Sequence, residues 1–107
     1  MSEVLPFRAD PFATFRFTAA GAGVALPLPH GRGSQVRIRN RGTVDVSIEF
    51  GDKATVQAVI PAAGTPGSQG FAPGAVEFQT LQQNQRFVSF AVASGAPDVE
   101  ITVGTGD

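Results

Sequence analysis

Apolar and polar residues alternate with a period of two along most of this chain. Residues 13–19 place Phe15 and Phe17 on one face and Thr14, Arg16 and Thr18 on the other. In 24–28, Val24, Leu26 and Leu28 share a face; Pro27 falls on the other and predicts an edge strand, because proline donates nothing to a ladder. Residues 34–39 set Val36 and Ile38 against Gln35, Arg37 and Arg39, and residues 44–50 set Val44, Val46, Ile48 and Phe50 against Asp45, Ser47 and Glu49. A short apolar strand at 55–60 is closed by Pro61; residues 75–81 offer Val76 and Phe78, 87–93 offer Val88, Phe90 and Val92, and 98–103 offer Val99, Ile101 and Val103. About eight short strands at about ten-residue spacing are the pattern of a sandwich or barrel. No stretch of about 12 residues keeps a helical apolar stripe free of Gly and Pro. One apolar face per strand predicts antiparallel sheets, and nothing helical is available for parallel crossovers. The expected fold is all-β, an antiparallel β-sandwich or jelly roll of about eight short strands.

The tripeptide Asn40-Arg41-Gly42 suits a three-residue hairpin loop with Gly42 in the left-handed region. Such a hairpin pairs Ile38 with Val44, Val36 with Val46 and Arg37 with Asp45, and a slip of one residue would break both matches. The expected core is Val36, Ile38, Val44, Val46, Ile48, Val88, Phe90, Val99 and Ile101. Two segments break the rhythm. Residues 1–12 carry Pro6, Phe7, Pro11 and Phe12 without alternation and are expected to form an extended N-terminal arm, with 13–107 as the single domain. Leaving apolar surface in water is costly, so the arm with Phe7 and Phe12 is expected to lie across a neighbouring subunit with Phe7 as its anchor; a frayed terminus is the alternative. Residues 61–74 read PAAGTPGSQGFAPG, a long loop expected to be mobile or to dock specifically. Phe71, its only bulky apolar residue, is a candidate contact.

Composition narrows the chemistry. The chain has 107 residues, enough for one modest core and not two. It has no cysteine, which removes disulfides, thiolate metal sites and cysteine nucleophiles together. The one histidine, His30 in LPLPHGRGS, lacks any serine in a nucleophile-elbow context, and the acids Asp45, Glu49, Glu77, Asp98 and Glu100 are scattered along different strands. No catalytic residue, metal or cofactor is expected. Gly31-Arg32-Gly33 has neither the Lys-Ser/Thr pair nor the helix of a phosphate loop. Eight basic against nine acidic residues give a net charge of −1, which argues against nucleic-acid binding and against a polybasic membrane anchor. No apolar run approaches the ~20 residues of a membrane span. The N-terminal MSEVLPFRADPF lacks the basic-then-apolar order of a secretory signal, so synthesis in a cytoplasm is expected.

Two features point to binding. Arg32, Arg37, Arg39 and Arg41 crowd into ten positions, and seven of the eight basic residues are Arg. Guanidinium groups pair well with interface carboxylates, so these four are candidate contacts for an acidic protein surface; the alternative is a solvated sheet face with Asp45 and Glu49 opposite. The chain has nine Phe but no Trp or Tyr, which disfavours the stacking platforms of glycan and single-strand nucleic-acid binders.

The layout of residues 34–106 carries a resemblance. QVRIRNRGTVDVSIEFGD is a strand-turn-strand unit; the Gly/Pro loop follows, then PGAVEFQTLQQNQRFVSFAVASGAPDVEITVGTGD. The residues involved are 36–40, 44–52, 73–81, 87–93, Ser94-Gly95 and 104–106. This resembles the small β-sandwich capsid decoration (cement) proteins of tailed bacteriophages. The resemblance implies a non-enzymatic virion protein that binds the outer capsid surface through the major capsid protein, bridges capsid subunits and forms a homotrimer. It supplies no catalytic residues. The alternative is a carbohydrate- or receptor-binding module of a virion spike or tail.

Overall fold

The computed structural model describes residues 7–18, 25–28, 33–82 and 85–105. They form eight strands: β1 (Arg8–Phe17), β2 (Ala25–Pro27), β3 (Gln35–Asn40), β4 (Val46–Gly51), β5 (Gln69–Phe71), β6 (Val76–Thr80), β7 (Phe87–Ala91) and β8 (Val99–Thr105). Every strand pair is antiparallel. One sheet has the order β1-β8-β3-β6 and the other β2-β7-β4-β5. Every connection crosses between sheets except β4 to β5. That is jelly-roll connectivity, one of the two folds expected from the strand rhythm.

The period-two pattern sorts correctly into inside and outside for most strands. Val36 and Ile38 of β3, Val46 and Ile48 of β4, Val88 and Phe90 of β7, and Val99, Ile101 and Val103 of β8 all point between the sheets and are buried. Ala13, Phe17, Leu28, Phe71 and Leu81 complete the core, and Val44 packs partly buried against it. The Phe17 and Phe90 rings meet across the sheets at 5.1 Å. Each fully buried Val or Ile contributes about 1.5–3 kcal/mol of transfer free energy. As its proline predicts, β2 lies at a sheet edge, with Pro27 opposite Phe87.

Four expectations are corrected. The β3–β4 hairpin does not form: β3 pairs with β6 and β8, and β4 with β5 and β7, so the two strands face each other across the core. Both arrangements bury Val36, Ile38, Val46 and Ile48, and alternation does not distinguish a lateral neighbour from a facing one. Asn40 makes the crossing possible. Its buried side-chain amide donates to the carbonyls of Val44 and Phe71, both at 2.9 Å, and its Oδ1 accepts the Gly42 N–H at 3.0 Å. Residues 55–60 form no strand, and β5 arises instead from residues inside the Gly/Pro loop. The N-terminal arm does not extend to residue 12, because β1 begins at Arg8 and pairs Arg8 and Ala9 with Thr105 and Gly104 of β8. Finally, β6 turns Val76 and Phe78 away from the core: they remain 46% and 55% exposed. Residues 1–6, Val24, His30 and Arg32 lie outside the described residues.

Candidate docking face

The outer faces of the two sheets differ in what covers them. Residues 52–68 lie over the β2-β7-β4-β5 sheet. The Val56 side chain sits where a Cβ on Gly51 would be, 2.6 Å from Val56 Cβ, so glycine is needed for the approach. The Ala58 N–H donates to Ser89 Oγ at 2.9 Å. The Val59 N–H donates to Ser68 Oγ, the Ser68 N–H donates back to the Val59 carbonyl, and Ser68 Oγ donates to Glu49 at 2.8 Å. Ser47, Ser68 and Ser89 are buried in consequence. The long loop therefore docks, and it docks on its own domain. Phe71, expected as a contact, is 1% exposed and belongs to the core, because β5 places it opposite Val46.

Among the described residues, the β1-β8-β3-β6 sheet has no such loop over it. Strand register aligns two rows across it. One row runs Phe78, Arg37, Thr102, Thr14, and the next runs Val76, Arg39, Glu100, Arg16. Residues directly opposite in an antiparallel ladder share a face, so all eight look outward. Thr14 and Thr102 hydroxyls bond at 2.9 Å. Phe7 packs its ring 5.2 Å from Phe78 on this same face. It passes over Gly104, where a Cβ would come within 2.7 Å of the Phe7 ring and would collide with the Arg8 carbonyl. Phe7, expected to reach a neighbouring subunit, thus lies against its own sheet.

The charges are unevenly matched. Arg16 grips Asp98 with two bonds of 2.8 Å. Hydrogen bonding from Arg16 holds the Asp98 carboxyl below its ordinary value; the nearby Arg16 and Arg41 charges add to this and partial desolvation opposes it. Glu100 is shared by Arg41 at 3.1 Å and Arg37 at 3.6 Å. Arg39, exposed beside them, forms no ion pair among the described residues. Among the described residues, four guanidinium groups thus meet two carboxylates, an excess of positive charge on this patch. The structure brings Arg37, Arg39 and Arg41 together with Phe7, as candidate contact residues, and adds Phe78, Val76 and Arg16 to them. It does not bring in Phe71.

Phe12 stands apart. It sits where the β1–β8 register breaks between Ala9 and Thr14, with φ at 55° and its side chain fully exposed. A bulky residue in the left-handed region is strained, and such strain tends to be kept where a side chain has work to do. Val76 and Phe78 were legible as sharing a face but not as facing outward. Their polar neighbours explain the inversion: at the seam between the two sheets Gln69 donates to Glu77 at 3.1 Å and accepts from Gln79 at 2.7 Å. Among the described residues no group of three or more His, Asp or Glu could hold a metal ion. No family model, curated protein sequence or solved structure matches this chain, so its functional reading rests on its own residues.

Proposed function

We propose that this chain is a non-enzymatic virion structural protein that docks on the outer surface of a tailed-phage capsid and stabilises the head by bridging capsid subunits. One observation carries the reading. Among the described residues, the chain's own loop covers one outer sheet face and no segment beyond Phe7 covers the other, where Phe78 and Val76 are exposed beside an excess of arginine. Exposed apolar surface rimmed by charge marks a protein contact, and a flat sheet suits a broad surface better than a small molecule. Four strands about 4.8 Å apart and about 18 Å long offer about 350 Å². A stable interface needs about 800 Å² per partner, so one copy binds weakly and repetition over a symmetric shell supplies the avidity.

The test is co-sedimentation with undecorated capsids at low and high salt. The native chain binds, and more weakly as salt rises. Arg39→Gln lowers affinity severalfold at low salt with little change in thermal stability, because Arg39 forms no ion pair among the described residues and a neutral side chain sets no like charge opposite Glu100. Phe12→Gly weakens binding while leaving the domain at least as stable, since glycine accepts the positive φ. Equal binding by all three chains would overturn the reading, and selective retention on immobilised glycans would favour the receptor-binding alternative.

A further inference from the structure

We infer that β6 is an open docking edge, and that its occupant is the β6 of a second copy, paired antiparallel about Phe78 in a two-fold dimer. The inference rests on the backbone of β6 and is independent of the capsid reading.

The two sheets end in four edge strands, β1, β6, β2 and β5. Three are blunted. The β1 ladder breaks around Pro11 and Phe12, β2 has three residues including Pro27, and β5 has three residues including Gly70. Short strands, prolines and bulges are the usual protections against edge pairing. By contrast, β6 has five residues, VEFQT, in unbroken register with β3, and contains no Pro, Gly or Lys.

The pairing of β6 with β3 determines which of its main-chain groups are free. The Asn40 N–H donates to the Ala75 carbonyl and the Leu81 N–H to the Ser34 carbonyl. Bonded pairs alternate along an antiparallel ladder, so between these two points Glu77 and Gln79 turn their N–H and C=O toward β3. Val76, Phe78 and Thr80 turn theirs to the side on which no other strand pairs among the described residues. Antiparallel self-pairing about Phe78 sets Phe78 against the partner's Phe78 and Val76 against the partner's Thr80. Every outward donor then meets an outward acceptor. Glu77 falls opposite the partner's Gln79, an amide that can donate to it. Centring on Glu77 would oppose Glu77 to the partner's Glu77, two like charges, and centring between two residues would set outward groups against inward ones.

Side chains on the outer face favour the same register. The two Phe78 rings become a direct cross-strand aromatic pair, each already backed by its own Phe7. A three-fold ring would need two different complementary edges, head to tail, whereas a strand that pairs with itself makes a closed two-fold. The self-association expected from the sequence as a homotrimer is therefore assigned here to a dimer. Its continuous eight-stranded sheet doubles the bare outer face to about 700 Å², close to the area of a stable interface.

Sedimentation of the isolated chain at tens of micromolar reads the assembly without any capsid. The native chain sediments with the mass of two copies. Phe78→Lys and Phe78→Glu each sediment as monomers, because like charges then face each other at the two-fold, and an equimolar mixture of the two recovers the dimer. Far-UV circular dichroism of each variant checks that the β-fold is retained. A measurement on the native chain is free of folding concerns: amide exchange at Val76, Phe78 and Thr80 slows as concentration rises. A strict monomer, a trimer, a dimer that survives both charged variants, or unprotected amides at those three positions in the dimer would each overturn the inference.

Discussion

Asn40 shows how one side chain can set the path of the chain. It is 1% exposed at the point where β3 ends, and three hydrogen bonds tie it to the Val44 and Phe71 carbonyls and the Gly42 N–H. The first bond bends the chain toward the second sheet, and the second ties the turn to the strand β5 that contains Phe71. Asn40→Ala would leave buried carbonyls without a donor, at a cost of about 3 kcal/mol in urea unfolding. Asn40→Asp keeps the acceptor for Gly42 but turns a carboxylate toward two carbonyls, so it should be no milder at neutral pH. From the sequence, Asn40 reads equally well as a hairpin residue, because Asn favours turns of both kinds.

Strands differ in how well alternation describes them. It serves β3, β4, β7 and β8, whose apolar residues lie in the core, and fails for β6, whose polar residues bond across the seam to Gln69. Two ladders meet at β8, and its outer side chains tie the sheet together. The Arg16–Asp98 bond links β1 to the residue just before β8, and it makes a pH prediction. The folded-state pKa of Asp98 lies below its ordinary 3.8, so the bond stabilises the native state above that value. This contribution is lost as pH falls through the folded-state pKa. In thermal melts at low salt, Arg16→Ala should be slightly less stable than the native chain at neutral pH. The two curves should converge in acid, and added salt should shrink the difference, as for any exposed pair.

Over the whole molecule, the N-terminal strand β1 closes on the C-terminal strand β8. Arg8 and Ala9 pair with Thr105 and Gly104, the Asp10 carboxylate accepts the Gly33 N–H at 2.9 Å, and Phe7 covers Gly104. A dispensable arm would make deletion of residues 1–10 harmless to folding. The pairing with β8 makes it costly instead: chemical denaturation of the truncated chain should show a loss of about 2–3 kcal/mol, from the missing ladder bonds and the Phe7 burial. The same deletion uncovers Phe78 further. Joining strands so far apart in sequence also makes folding slow for a chain of this size, as for other sandwiches dominated by non-local pairing.

By itself, the sequence determined the all-β class, most strand positions, the edge role of Pro27, and which residues share a face, because side chains in a strand alternate with a period of two whatever lies beside them. It also placed Arg37, Arg39 and Arg41 among the contact candidates, since charge clusters are visible in one dimension. Only the tertiary structure decided which strands are neighbours, and thus that Val36 and Val46 face each other across a core instead of lying side by side. It decided as well that Phe71 is buried, that Phe7 returns to its own sheet, and that Phe78 looks outward beside the arginines. The physical reason is the same in each case. Burial of a given apolar residue depends on what a distant segment supplies to cover it, here β8 for β1 and residues 52–68 for the opposite sheet, and local pattern carries no term for that segment.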